Sequence, residues 1–323
     1  MPDAPVLLVT VPEDRLPDGR LALVREAAAG YDVRRGAPGD DLGGVEIVLG
    51  YAEPEHVARA GELRWVQSWS AGLDWLLKGG ADVPAGLLVT SASGVHAVPI
   101  AEHVFALLLA IGRRLPAHLA DQRAGRWNPG AAEGTFELEG RRVVLLGVGE
   151  IGARVARLAS AFGMFVTAVR HDSDGSDGSD VPGVDRAVTN DGLLDVLPGT
   201  DVLVMSLPLT DETRGMVGAG AFAALPDHAV LVNVGRGETV DQGALVAALE
   251  AGRLAAAGLD VFDDEPLPDD SPLWAMDNVV LTPHVAGRTP HYADRALAIF
   301  LDNLGRYRRG QPLRNAVDLG AGY

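Results

Sequence analysis

The chain of 323 residues contains no cysteine and a single lysine, Lys78. Without cysteine there can be no disulfide, thiolate nucleophile, Fe–S cluster or Cys-ligated zinc. Lys78 is followed by Gly79, so there is no Walker-type Gly-Lys-Ser/Thr loop, and a Schiff-base mechanism would have this one residue to use. A GC-rich coding sequence that writes Arg for Lys accounts for the scarcity. Long apolar runs are missing as well. The longest, residues 105–111, is far short of the ~18 residues that cross a bilayer. The opening MPDAPVLLVT lacks the basic-then-apolar layout of a secretory leader, so a cytoplasmic protein is expected. Positive charge is also in short supply: 44 acidic side chains face 27 basic ones, a formal net charge of −17. Such a chain repels nucleic-acid backbones and anionic lipid surfaces, which makes both poor partners.

What is present reads as a globular α/β protein. Hydrophobic residues make up 47% of the chain and charged ones 22%, and the length suggests two domains at roughly 100–200 residues each. Short apolar runs at 6–11, 45–49, 65–68 and 87–91 read as buried strands, with helical spacing between them at 21–29, 54–60 and 73–78. Strand–helix alternation means βαβ units around a parallel sheet. Pro99 is expected to open a long helical run that Pro116 kinks or interrupts. A second alternating series follows, with strands at 142–146, 164–169, 201–206, 229–234, 256–261 and 278–281. Helices are expected at 151–162, 191–197, 219–225 and 241–251. The last helix, 290–309, places Asp294 early and Arg306, Arg308 and Arg309 late, as the helix dipole favours. Between the second and third strands of this series lies an Asp/Ser/Gly stretch, 171–183. Its Asp172, Asp174, Asp177 and Asp180 lack the closing glutamate of a calcium loop, so a solvated loop is expected.

Chemistry enters with RRVVLLGVGEIGARV, which sets Gly147, Gly149 and Gly152 in G-x-G-x-x-G spacing between an apolar strand and a helix. Gly147 permits the tight turn, Gly149 lets backbone N–H groups approach a pyrophosphate, and Gly152 allows close helix–strand packing. The position about 20 residues further on, where an acidic residue would bind the ribose of NAD, holds Arg170, beside His171. Two cations there suit a 2′-phosphate, so NADP is favoured, although Asp172 and the acidic stretch behind it oppose that reading.

Three further residues follow apolar strands, on the side where a doubly wound sheet binds ligands. They are Arg236 in NVGRGE, Glu265 in DVFDDEP and His284 in LTPHVAG. A histidine needs a partner that fixes its tautomer, and a carboxylate does so. An arginine fork matches a substrate carboxylate. Each has a structural alternative: a capped turn, a surface charge, a buried imidazole.

The segments SAGLDWL, LLGVGEIG, LPLTDETRGMV, LVNVGRGETVDQGAL, GLDVFDDEPLP and NVVLTPHVAG occur in one order over nearly the whole chain. In this the sequence resembles the D-isomer-specific 2-hydroxyacid dehydrogenase family, in its glyoxylate/hydroxypyruvate reductase-like branch. The resemblance implies two doubly wound parallel-sheet domains, flavodoxin-like and Rossmann, with the active site in the cleft. Residues 1–98 plus 288–323 would be the substrate domain and 99–287 the cofactor domain. Arg236 would bind the substrate carboxylate, His284 would be the acid/base, and Glu265 would hydrogen-bond it and raise its pKa. Cofactor contacts would come from Gly147, Gly149, Glu150, Ile151, Gly152, Arg170, His171, Leu207, Pro208, Thr213, Val234, Gly235, Arg236, His284 and Gly287. Asp260 would lie near the nicotinamide amide and Ile100 would pack against the ring. Ser70, Ala71 and Gly72 would offer backbone N–H groups to the acid. A homodimer through the 102–130 helical arm is also implied, with Leu107, Leu108, Leu109 and Ile111 more apolar than one buried face requires.

The expected reaction is hydride transfer between NAD(P)H and a small 2-keto or 2-hydroxy acid. The chain ends soon after the last helix, where 3-phosphoglycerate enzymes often carry a regulatory domain, and formate enzymes carry glutamine at the Glu265 position. The first departure weakens a 3-phosphoglycerate reading, and the second favours a keto acid over formate. Tyr51, Trp69 and Trp274 are candidates for the pocket wall, with core packing as the other reading of Tyr51 and Trp69. An NAD(H)-binding corepressor with the same fold remains an alternative. A metal-dependent dehydrogenase would need a ligand cluster that the sequence does not display.

Overall fold

A computed structural model describes residues 4–77, 83–171 and 181–317. Lys78 and the acidic residues Asp172, Asp174, Asp177 and Asp180 lie outside the described residues. The chain forms two units: residues up to Val95 together with those from Thr289 onward, and His96–Arg288.

In the first unit, β1 (Val6–Val9), β2 (Asp32–Arg35), β3 (Val45–Gly50), β4 (Trp65–Ser68) and β5 (Leu88–Thr90) alternate with α1 (Asp18–Ala27), α2 (Pro54–Arg59) and α3 (Asp74–Leu77). All pairings are parallel, in the order β2-β1-β3-β4-β5. This is the flavodoxin-like order. The central strands are buried on both faces, which explains why β1 and β3 read as continuous apolar runs. The edge strand β2 escapes that reading. Its sequence DVRR alternates exposed and half-buried positions and carries no apolar run.

The second unit begins with α4 (Ala97–Gly112) and α5 (Leu115–Arg123). Pro99 does not open α4, which starts two residues earlier. Proline fits the first turn because its missing N–H needs no partner there. Pro116 falls where the run breaks, with Arg114 in a left-handed conformation between the two helices. The strands that follow are β6 (Arg142–Leu146), β7 (Phe165–Arg170), β8 (Arg186–Thr189), β9 (Val202–Met205), β10 (Val230–Asn233), β11 (Ala256–Leu259) and β12 (Val279–Leu281). They pair in parallel in the order β12-β11-β10-β9-β6-β7-β8, a Rossmann order extended by one strand. Between them run α6 (Glu150–Ala161), α7 (Leu193–Val196), α8 (Ala219–Ala224) and α9 (Gln242–Glu250), the last capped by the Asp241 carboxylate on the Ala244 N–H. The edge strand β8, RAVT, has one exposed and three half-buried positions and likewise carries no continuous apolar run.

The apolar excess of the 102–130 arm has an internal use. Leu107 and Leu108 are buried in the core of this unit, and Leu109 and Ile111 pack at its margin. Leu107 lies so close to β11 that a Cβ on Gly258 would stand 3.0 Å from it. The exposed apolar side chains of the arm are instead Leu115, Leu119 and Trp127. Finally α10 (Tyr292–Arg308) returns the chain to the first unit. It buries Ala296, Leu297, Phe300 and Leu304, and Phe300 stacks on Trp65 with ring centroids 5.4 Å apart.

Candidate active site

The second sheet reverses its strand order between β6 and β9, and both strands end at the same place. Doubly wound sheets bind ligands outside the carboxyl ends of such a pair. After β6 the chain turns through Gly147, at φ +88°, and enters α6 at Glu150. A Cβ on Gly152 would lie 2.0 Å from the Gly147 carbonyl oxygen, so helix and turn touch through backbone alone. A Cβ on Gly149 would meet nothing within 4 Å, so this face of the turn is open. No side chain caps α6. Its first-turn N–H groups and the positive end of its dipole therefore face that open space. These residues fit a dinucleotide pyrophosphate.

Around the turn, Ile151 is half-buried, Glu150 is exposed, and Ser206 donates to the Gly147 carbonyl at 3.0 Å. Leu207 is half-buried and Pro208 exposed. Thr213 locks their loop by donating to the Pro208 carbonyl at 2.7 Å and accepting the Thr210 N–H at 2.8 Å. Val234 and Gly235 are buried, and a Cβ on Gly235 would stand 2.8 Å from the Leu207 carbonyl oxygen. Arg170 ends β7, half-buried. His171 is exposed, with its Nε2 2.8 Å from Glu212 Oε2, which brings a carboxylate to the ring expected to face a phosphate. Ile100 sits buried on α4, and the Gly287 carbonyl oxygen accepts from His96 Nδ1 at 2.9 Å.

Arg236, Glu265 and His284 follow β10, β11 and β12, three adjacent strands. Asn233 Nδ2 (3.0 Å) and Thr239 Oγ1 (2.6 Å) both donate to the Arg236 carbonyl, and the Gly235 N–H donates to Asn233 Oδ1. The backbone of Arg236 is thereby fixed while its side chain is exposed, one Nη1 bond to the Gly235 carbonyl apart. A Cβ on Gly237 would overlap the Phe262 carbonyl group, so the loops after β10 and β11 interlock there. His284 Nδ1 lies 2.7 Å from Glu265 Oε2, and Glu265 Oε1 accepts the Phe262 N–H at 3.1 Å. The carboxylate is thus oriented by backbone and holds the imidazole in turn. The two side chains are 53% and 35% exposed, so the pair is open to a ligand. Beside it, burial and then the neighbouring Glu238 and Asp264 push the Asp263 carboxyl above its ordinary value.

Asp260 is occupied by the protein itself. Its two oxygens accept from Thr282, Val285 and Ala286, so it anchors the segment that carries His284. In the first unit, Ser70 and Ala71 are half-buried and Gly72 is exposed. The buried Ser68 Oγ accepts the Ser70 N–H (3.1 Å) and Trp75 Nε1–H (3.2 Å), and Ser70 Oγ donates to the Gly72 carbonyl at 2.6 Å. Trp69 is buried in the core, Tyr51 is half-buried edge-on to Trp75, and Trp274 is exposed with Nε1 donating to the Pro268 carbonyl. Asn233, Thr239, Thr282 and Ser68 were missed in the sequence. For Asn233, Ser68 and Thr282 the signal was a polar residue at the exit of an apolar strand, which is weak for any one position, and Thr239, in the turn after Arg236, had none.

A Rossmann sheet with an open glycine turn, and an imidazole–carboxylate pair next to an arginine at its strand ends, define a nucleotide-dependent dehydrogenase. The sequence profile "D-isomer specific 2-hydroxyacid dehydrogenase, NAD binding domain" matches residues 105–286. The chain is 36% identical over 273 residues to a glyoxylate reductase of Aeropyrum pernix, covering 81% of this chain and 78% of that protein. It is 37% identical over 235 residues to a D-3-phosphoglycerate dehydrogenase of Archaeoglobus fulgidus, spanning 72% of this chain but 43% of that one. Among solved structures, a D-isomer specific 2-hydroxyacid dehydrogenase from Xanthobacter autotrophicus in complex with NADPH and MES matches with TM-score 0.81 and 33% identity, over 99% of this chain and all of that one. An NADPH-dependent glyoxylate/hydroxypyruvate reductase from Sinorhizobium meliloti, in complex with NADP and sulfate, matches with TM-score 0.77 and 29% identity, over 99% and 100%. The chain belongs to the D-isomer specific 2-hydroxyacid dehydrogenase family, and is an NAD(P)-dependent oxidoreductase of that family.

Proposed function

We propose that the enzyme reduces a small 2-keto acid of the glyoxylate or hydroxypyruvate kind, with NADP(H) favoured over NAD(H). The observation that carries this reading is the His284–Glu265 contact at 2.7 Å, on strand ends next to the one bearing Arg236. Reduced nicotinamide, when bound, supplies the hydride that reaches the carbonyl carbon. Glu265 accepts the Nδ1–H of His284, which leaves Nε2 to carry the proton in transit. That proton passes to the carbonyl oxygen as the C=O bond is reduced, and in the oxidative direction His284 takes it back. Arg236 binds the substrate carboxylate with its fork and fixes the carbonyl relative to His284. Of the acid contacts expected from the 70–72 loop, the Ser70 N–H is already given to Ser68 Oγ at 3.1 Å.

Arg170 and His171, after β7, supply positive charge for a 2′-phosphate, and both structural relatives above bind NADP or NADPH. A homodimer is part of the reading, with exposed Leu115, Leu119 and Trp127 as its apolar surface. One spectrophotometric panel tests the whole: glyoxylate, hydroxypyruvate, pyruvate and bulkier 2-keto acids, each with NADPH and with NADH. Fastest turnover is expected for the two smallest polar acids with NADPH. A strong NADH preference would overturn the assignment to Arg170, and turnover confined to bulky acids would overturn the substrate class.

A further inference from the structure

The segment that presents His284 is under conformational constraint. His284 has φ +51°, the left-handed region that a side chain other than glycine holds only when its surroundings over-determine it. The constraint comes from Asp260. Its carbonyl accepts the His284 N–H (2.9 Å), its Oδ1 accepts the Thr282 hydroxyl (2.6 Å) and the Val285 N–H (2.9 Å), and its Oδ2 accepts the Ala286 N–H (2.9 Å). Asp260 is 2% exposed. A carboxylate so deeply buried is tolerated only when donors fill its lone pairs.

One more side chain reaches this cluster, from α4. His103 Nε2 stands 2.9 Å from Thr282 Oγ1 and 3.8 Å from Asp260 Oδ1, and no other basic side chain pairs with Asp260 among the described residues. The direction of these bonds follows from proton counting. Thr282 has one hydroxyl proton, and an ionised carboxylate can only accept, so that proton goes to Asp260. Towards His103 the Thr282 oxygen is left as an acceptor. His103 must therefore carry its proton on Nε2, and the chain runs one way, from His103 to Thr282 to Asp260.

We propose that His103 and Thr282 are positioning residues for the reaction. They hold the Asp260 carboxylate against residues 282–286, and so hold His284 at the angle where Nδ1 meets Glu265. Neither is assigned a contact with substrate or cofactor. The inference rests on the reading of His284 as acid/base. Helix α4, whose apolar residues fill the core, thereby also sets the geometry of proton transfer.

The test is a set of variants read by kinetics and by amide exchange. Displacing a reacting group by about 1 Å can cost on the order of 100-fold. Thr282→Val, which keeps shape and removes the hydroxyl, should lower kcat by roughly 10–100-fold with KM for glyoxylate changed about twofold or less. Thr282→Ser should restore most of the rate. Exchange of the Val285 and Ala286 amides should quicken in Thr282→Val and not in Thr282→Ser. His103→Gln, which retains an N–H donor, should be faster than His103→Phe, and this pair carries the test if Thr282→Val does not fold. Unchanged kcat in Thr282→Val, or equal impairment of Thr282→Ser, would overturn the proposal, as would equal rates for His103→Gln and His103→Phe. His284→Ala separates the two readings. If it is inactive while Thr282→Val and His103→Phe run at full rate, the positioning role fails alone. If it turns over normally, the acid/base assignment has failed.

Discussion

The imidazole of His284 and the carboxylate of Glu265 meet at 2.7 Å through Nδ1 and Oε2, although 19 residues separate them in the chain. Two parallel strands bring them together. β11 and β12 are register-paired from Ala257 with Val279 to Leu259 with Leu281, and each residue of the pair stands a few positions beyond its strand. Glu265 is steadied by the Phe262 N–H and His284 by Asp260, so neither end depends on side-chain packing alone.

Arg236 offers the most direct test of acid recognition. Its side chain is exposed and its backbone is fixed by Asn233 and Thr239, so a change in the head group should leave the fold alone. Arg236→Lys keeps the charge but removes the planar fork. KM for the keto acid should rise on the order of 10-fold or more, with kcat/KM falling at least as far and the melting temperature unchanged. Steady-state kinetics on glyoxylate, with a thermal melt, checks this. The expectation bears on a wider problem: a chain of net charge −17 must attract two anions. On the proposed reading, Arg236 and the N-terminus of α6 would be the local sources of positive potential that answer it.

Gly152→Ala should cost both stability and cofactor affinity. The new methyl would sit 2.0 Å from the Gly147 carbonyl oxygen, which belongs to backbone and cannot swing away. Overpacking of this kind costs about 1–3 kcal/mol, and the displaced turn would also lose its hold on a pyrophosphate. Denaturant unfolding and NADPH fluorescence titration should fall together. Gly149→Ala, which meets open space, should spare stability while weakening the titration.

Glu212 pairs with His171 at 2.8 Å, close to where the 2′-phosphate of NADPH is proposed to lie. Glu212→Gln removes a negative charge from that neighbourhood. KM for NADPH should fall severalfold, with KM for NADH nearly unchanged. Arg170→Ala should do the reverse, raising KM for NADPH alone.

Asp201 links stability to pH. Burial works to raise its pKa, but the Arg142 N–H, Arg141 and His228 outweigh burial, and the carboxyl titrates below its ordinary value. The folded state thus binds this proton less readily than the unfolded chain. The stabilisation is complete above the ordinary carboxylate range and is lost as pH falls through the lowered folded value. Asp201→Asn should therefore lower the melting temperature near neutrality, and the gap to the unaltered protein should narrow as pH falls below the ordinary carboxylate range.

What could be read in the sequence follows a physical rule. β6 and α6 were legible because an apolar run, three glycines and an amphipathic helix follow one another without a break. Strands β2 and β8 were not, since an edge strand is half solvated and DVRR has no period to detect. Arg236, Glu265 and His284 each announced themselves as a polar, chemistry-bearing residue soon after an apolar strand. The bonds that hold them did not. Asp260 looked like a group reserved for a cofactor, and only the fold brings Thr282, Val285 and Ala286 onto its oxygens. Leu107 and Leu108 misled by the same token. An apolar excess on a helix does not say which of two surfaces will cover it, and here β11 covers much of it.

The central claim is that His284 transfers the proton that accompanies hydride transfer, and one comparison tests it most directly: NADPH-dependent reduction of glyoxylate by the unaltered enzyme and by His284→Ala, with NADPH affinity measured on both by fluorescence titration. A positioned acid/base contributes roughly 10²–10⁴-fold. The account predicts a loss of that size in kcat with NADPH binding intact. A His284→Ala enzyme that keeps near-normal kcat would contradict it.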